Sequence, residues 1–280
     1  MENKYKLTNE TINWNNHTLY RIQALKDFGM LPYKVQKGDL GGWIEKEENL
    51  SQDGDCWIFH NAKVYDEALV YGNAIIKGNA EVYEKSRVQD NAKITYRAKI
   101  YGCSLIADKA IVLGNTMVHD NACIFGNSQV YGHSEIYGNS WVSSSSKVYG
   151  HAKVYDNANI NGNSRIFGNS KISGNSSIED NAAVFGDAAV FGDAQVFGDA
   201  KITGNAKITG DAEVSSIKDY TVFKNNWSSG RYFTWTKSND MWKVGCFYGT
   251  GKQLIEKAYS NSEESGKLYE VYVNLIKQIS

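Results

Sequence analysis

The sequence predicts an all-β solenoid, a parallel β-helix of about nine triangular coils with an N-terminal cap and a small α+β domain at the C-terminus. Three observations predict it. Val184, Val190, Val196, Ile202, Ile208 and Val214 lie six residues apart, and the same spacing runs back without a slip to Ile58, giving 27 consecutive hexads. Four places after these residues comes a small one: Ala62, Ala68, Ala74, Ala80, Ser86 and onward to Ala212. Between them stand Gly or Asp and then Asn or Asp, the residues of sharp corners. A short fixed period without gaps marks a solenoid, and six-residue repeats belong to the parallel β-helix class.

One hexad shows the logic. In Val190-Phe191-Gly192-Asp193-Ala194-Gln195, strand alternation turns Val190 inward and leaves Ala189 and Phe191 outward. Ala194 faces in beside the corner, where a larger side chain would meet the coils above and below. Three strands and three corners make an 18-residue coil, and parallel coils stack ~4.8 Å apart, so the prism is roughly 40 Å long. The chain's single proline, Pro32, lies outside the repeat, as a ladder needing every N–H requires.

An open β-helix exposes strand edges at both ends and needs caps. Residues 1–50 form the expected N-terminal cap, with a hairpin where Thr11-Ile12-Asn13 and Thr18-Leu19-Tyr20-Arg21-Ile22 flank an Asn-rich turn. Leu50 reads as an irregular hexad start, and residues 51–216 form the prism. Residues 217–280 form a separate interaction or capping domain. There Arg231–Trp235 and Met241–Gly245 flank a turn over Thr236–Asp240. Thr250-Gly251-Lys252-Gln253 reads as a capping box before a helix carrying Leu254, Ile255 and Ala258 on one face. A second helix from about Ser262 carries Leu268, Tyr272, Leu275, Ile276 and Ile279.

Composition narrows the function classes. The net charge is −1 and no long block of like charge occurs, so nucleic acid is not an expected partner. No apolar run of membrane-spanning length occurs and the first residues have no signal-peptide character, so no membrane role is expected. Cys56 takes a small inward position, Cys103 a corner and Cys123 an outward position, while Cys246 lies in the terminal domain. This is not metal spacing, and the expectation is reduced thiols in the cytoplasm, with no metal and no cofactor.

Gly41-Gly42-Trp43-Ile44, Asn49-Leu50-Ser51-Gln52 and Gly54-Asp55-Cys56-Trp57-Ile58 resemble the entry segment of the YdcK-type β-solenoid family. That family is grouped structurally with the trimeric hexapeptide-repeat acyltransferases. The resemblance implies a left-handed helix and carries little functional information. The terminal segment is similar to those that follow hexad arrays in phage and prophage proteins. It implies, as one alternative, an inhibitor that sequesters a host defence factor.

The acyltransferase alternative needs a histidine base and acyl-CoA held between prisms. If the protein is an enzyme, the candidates are His119, His133 and His151. His133 and His151 lie 18 apart and should stack on adjacent coils, as a base or metal pair or as two corner positions that happen to be His. Neither has an evident carboxylate partner, and an unbroken register leaves no extruded loop, so the sequence leans against catalysis. Gly249-Thr250-Gly251-Lys252 departs from a phosphate loop, since Cys246 stands where its first Gly belongs and Gln253 replaces the Ser/Thr.

Aromatic residues offer surfaces instead. Tyr131, Tyr149, Phe167 and Phe185 should form one ladder, and Tyr65, Tyr83, Tyr101, His119, Tyr137 and Tyr155 another. Either these rings simply stack within the chain, or they form the face of a homo-oligomer, a dimer or trimer. In the terminal domain, Trp227, Ser229, Arg231, Trp235, Trp242 and Lys252 are the candidate binding residues. The stretch Trp227–Arg231 has the composition of a recognition loop. The function expected is a non-catalytic scaffold that engages a protein partner.

Overall fold

The computed structural model describes residues 3–226 and 230–280. Strands β1 (Tyr5–Trp14) and β2 (His17–Ala24) form the N-terminal hairpin, and its turn residues Asn15 and Asn16 take left-handed φ values of 48° and 69°. Strand β3 (Leu40–Ile44) pairs antiparallel with β2 and parallel with Lys63–Val64. This one strand converts a hairpin into the first rung of a parallel ladder.

The prism follows as 27 two-residue strands, from β4 (Trp57–Ile58) to β30 (Glu213–Val214). They stack into three sheets, one extended by β1–β3. Face I begins at Trp57–Ile58, face II at Lys63–Val64 and face III at Leu69–Val70. Every aliphatic residue of the six-residue register from Ile58 to Val214 is buried, and no loop leaves the register between them. Ile44 and Leu50 are also six apart and buried, and Leu50 bridges to Val70, so a partial coil precedes the nine complete ones. The solenoid therefore starts inside the stretch assigned to the cap. The two-residue slip after Leu50 is used: the Gln52 side-chain oxygen accepts the Lys4 N–H at 2.8 Å.

Only one of the two corner residues is left-handed. It stands two places after the aliphatic residue, as in Gly138 (φ 70°) and Asp120 (φ 57°). A Cβ on Gly138 would lie 2.8 Å from the Asp156 backbone nitrogen. Where Asp takes the place, its carboxylate holds the next coil: Asp120 Oδ2 accepts the Gly138 N–H at 3.1 Å. The second corner residue builds side-chain ladders. Asn121 donates to Asn139, Asn139 to Asn157, Asn157 to Asn175 and Asn175 to Asp193. Buried serines near the corners return their hydroxyl to the carbonyl three residues back, as Ser104 does to Tyr101 at 2.8 Å. Ser170 Oγ is buried and has no hydrogen-bond partner among the described residues.

Both ends are closed by donors and acceptors matched to the exposed edges. At the N-terminal end the buried Lys4 ammonium donates to the carbonyls of Asp53, Gly54 and Cys56. At the other end Thr234 Oγ1 accepts the Lys207 N–H and Ser238 Oγ accepts the Glu213 N–H. These hydroxyls belong to an antiparallel meander of β31 (Tyr220–Lys224), β32 (Tyr232–Thr236), β33 (Met241–Val244) and β34 (Phe247–Thr250). Helices α1 (Gly251–Tyr259) and α2 (Glu263–Ile279) pack on each other and close the domain.

The capping box forms: Thr250 Oγ1 accepts the Gln253 N–H, and Gln253 Oε1 accepts the Thr250 N–H. On α2 the expected stripe holds in part. Ile276 is buried and Tyr272 packs on the domain core, but Gly266 and Val273 are buried as well, with Tyr269 beside them, whereas Leu275 and Ile279 are exposed. Gly266 sets this rotation, because a Cβ there would lie 2.2 Å from the Tyr259 ring. Among the described residues, no helix is long and apolar enough to cross a membrane.

Candidate functional site

Face II is overhung at both ends, and a cleft opens under each overhang. The first, about 690 Å³, lies beneath the hairpin between Trp14, Trp43, Lys63, Glu81, Arg97 and Lys99. Glu81, 7% exposed, is its hub. It accepts from Trp14 Nε1 at 3.1 Å and Tyr65 OH at 3.3 Å, and pairs with Lys99 at 3.4 Å. Lys63 lies over the Trp14 ring at 4.0 Å, and burial pushes its pKa down despite the nearby Glu81. Glu81 and Lys63 are thus consumed in holding the hairpin down.

The second cleft, about 580 Å³, lies where β33 and its following turn overhang the last coils. Lys171, Lys207 and Lys243 surround Phe191, with Lys243 5.7 Å from the ring centroid. None of these three lysines forms an ion pair among the described residues. Ammonium groups around a ring suit a carboxylate or phosphate carried beside an apolar group.

Both aromatic ladders form. Tyr65, Tyr83, Tyr101, His119, Tyr137 and Tyr155 stack at 4.8–5.0 Å, and so do Tyr131, Tyr149, Phe167 and Phe185. Ring planes are within 11° of parallel, so each ring covers the next and only edges meet solvent. Tyr65 is 3% exposed under the hairpin, packed with Leu19 and Trp43, and burial raises its pKa to about 12. The ladders present ring edges, and Tyr65 is withdrawn from the surface altogether. Large apolar side chains in the open, outside the ladders, include Trp141 on face III, Tyr96 at a corner, Met30 and Leu31 in the cap, Ile217 after the last coil, and Val271, Leu275 and Ile279 on α2.

The histidines divide into two situations. His133 and His151 stack at 5.0 Å on the corner leading into face II, both exposed. His119 lies within the second ladder and has the carboxylate partners that sequence reasoning did not find. Its Nδ1 is 3.2 Å from Asp120 and its Nε2 3.4 Å from Glu135, which Lys153 also holds. Sequence spacing of one and sixteen residues gave no motif, because Glu135 comes from the next coil. The hydrogen bond with His119 and that from the Gly138 N–H hold the Asp120 carboxyl below its ordinary range.

One cluster among the described residues has atoms close enough to hold a metal: His17, Glu45 and Asp66. His17 Nδ1 is 3.0 Å from Glu45 and its Nε2 is 3.5 Å from Asp66, so the imidazole joins two carboxylates through opposite ring edges. The Asp66 N–H donates to Glu45 at 2.7 Å. This arrangement ties the hairpin turn to the first coil.

In the terminal domain the candidate binding residues separate. Trp235 and Trp242 are buried, 4% and 1% exposed. Trp242 packs in the domain core near Phe223, and Trp235 Nε1 donates to Asp240 at 2.8 Å. They are core residues and not a contact surface, since strand alternation in so small a domain turns its largest rings inward. Arg231 is exposed immediately before β32. Lys252 is exposed and 3.9 Å from Glu256. Trp227 and Ser229 lie outside the described residues. At that helix start the capping box occupies the N–H groups of Thr250 and Gln253.

The arrangement defines the class as a parallel β-solenoid with two built end-caps. No protein-family model matches the chain, and no curated protein matches it.

Proposed function

We propose that the protein is a non-catalytic scaffold whose terminal domain engages a protein partner through α2. One observation carries this reading. Val271, Leu275 and Ile279, at i, i+4 and i+8, are 63%, 38% and 62% exposed, while the opposite stripe of the same helix already forms the domain core. An apolar stripe along a helix is the usual form of a helix-in-groove contact. The prism behind it needs little reorganisation on binding, which keeps the ordering cost low.

The test is a pull-down with cross-linking mass spectrometry on the full chain and on Leu275→Glu and Ile279→Glu variants. The expected result is one partner, cross-linked next to α2 and lost in both variants. A partner list unchanged by the variants removes α2 from the role. The phage-inhibitor alternative would make that partner a host defence factor, and the partner's identity decides it.

A second reading, acyl transfer from acyl-CoA, draws support from His119 and its two carboxylates. Against it, both imidazole nitrogens are engaged and both ring faces are covered by Tyr101 and Tyr137. A general base needs a nitrogen within reach of the substrate proton. Calorimetry should detect no acetyl-CoA binding at micromolar level. Binding that is abolished by His119→Ala, His133→Ala or His151→Ala would reverse this preference.

A further inference from the structure

Trp141 is the fifth of the nine strand positions on face III and is 53% exposed. Its ring meets Phe125 edge-on at 5.8 Å, Cys123 is its strand partner on the preceding coil with Leu105 one coil further back, and Asn159 is its partner on the following coil. Outward places on the other two faces carry lysines, among them Lys93, Lys147 and Lys201 on face I and Lys99, Lys171 and Lys207 on face II. Face III has none at its outward strand places. Beyond Trp141 it continues with Asn159, Ser177 and Gln195. The hairpin and the terminal domain overhang face II, and the 25–39 loop lies on face I, where Tyr33 packs beside Lys77 and Lys93.

We propose that face III is the contact surface for a second copy of this chain, the two prisms lying antiparallel about a two-fold axis at Trp141. Charge selects both the occupant and the direction. The second coil carries exposed Lys85 and Arg87, and the eighth carries exposed Asp193; Glu213, on the ninth, opposes Leu69 in an antiparallel pair. Antiparallel pairing reverses the coil order and keeps the strand direction. Arg87 then opposes Gln195, Lys85 opposes Asp193, and the two Trp141 rings meet at the centre. Parallel pairing would set Arg87 against Arg87 and Glu213 against Glu213, and like charges facing each other are disfavoured. The same pairing through face II would set Lys63 against Lys207 and Lys99 against Lys171, and through face I would set Lys93 against Arg165. Nine coils at ~4.8 Å and a width of about 15 Å give on the order of 600 Å² per chain, near the roughly 800 Å² of a stable interface. A self-complementary patch on one face is what a two-fold dimer requires, and a central exposed Trp is a residue type enriched in hot spots.

Sedimentation of the full chain tests the dimer. The wild type should be dimeric at tens of micromolar, and Trp141→Glu should weaken association roughly thirty-fold or more with an unchanged strand signal in circular dichroism, since that side chain points outward. Lys85→Glu should weaken it too, and adding Asp193→Lys should restore it, because each dimer contains the pair twice. Oxidative cross-linking then reads the direction in a background where Cys103 and Cys246 are replaced by Ser. Antiparallel prisms place Cys123 opposite residue 159, so Asn159→Cys should give a disulfide-linked dimer that Cys123 alone does not. A monomeric wild type, or a dimer indifferent to Trp141→Glu, overturns the proposal. A Cys123–Cys123 link without the Asn159 substitution overturns the antiparallel direction.

Discussion

Lys4 Nζ lies 3.2 Å from Cys56 Sγ, and both side chains are buried at the N-terminal end of the prism. Burial lowers the lysine's pKa, with Cys56, Asp55 and Asp53 opposing it, and burial likewise raises that of the thiol. A buried thiol with little thiolate character is unreactive. Cys103 and Cys246, both exposed, should therefore label rapidly with a thiol reagent, and Cys56 only on unfolding. Lys4→Ala leaves the Asp53, Gly54 and Cys56 carbonyls without their donor, so it should loosen this end and speed Cys56 labelling. Equal rates at Cys56 in both proteins would show that Lys4 does not close the end.

Val130 is fully buried between Val112 and Val148 on adjacent coils. Val130→Asp places an unpaired carboxylate in a dry column and should cost roughly 4 kcal/mol or more. Circular dichroism and thermal melts check this, with lost strand signal or a collapsed melting temperature as the expected outcome. A folded variant of near wild-type stability would contradict the inward register.

Ser170→Ala should stabilise. The Ser170 hydroxyl is buried without a hydrogen-bond partner among the described residues, unlike Ser176, which donates to Ser173 at 2.7 Å. Removing an unsatisfied hydroxyl should gain about 1 kcal/mol, whereas Ser176→Ala should be neutral or mildly destabilising. Chemical denaturation of the two variants side by side gives the sign.

The hairpin tie predicts an acid dependence. Burial alone would raise the Glu45 pKa, but hydrogen bonds from His17 and the Asp66 N–H hold it below its ordinary 4.5. A carboxyl depressed on folding stabilises fully above its unfolded pKa, and that contribution disappears as pH falls through the folded value. Glu45→Gln should therefore melt lower than wild type at neutral pH, and the gap should close as pH falls below 4.5. A gap independent of pH would remove the ion pair from the account.

The six-residue register alone determined the prism, because strand alternation leaves one choice for each aliphatic residue and a small residue is obligatory beside each corner. It also placed the two ring ladders, since residues 18 apart must stack when coils are triangular. The hairpin, the capping box and the second helix were equally legible, because turn and capping residues act locally. Tertiary structure decided what those features are for. Trp235 and Trp242 went into the core, and the buried stripe of α2 kept Tyr272 and Ile276 but took in Gly266 and Val273 in place of Leu275 and Ile279, because side-chain fit against Tyr259 is not written in helical spacing. His119 acquired Glu135 from the following coil. Trp141 emerged as the exposed centre of face III only once the coils were stacked, because exposure depends on the neighbours above and below and on which faces the end structures cover.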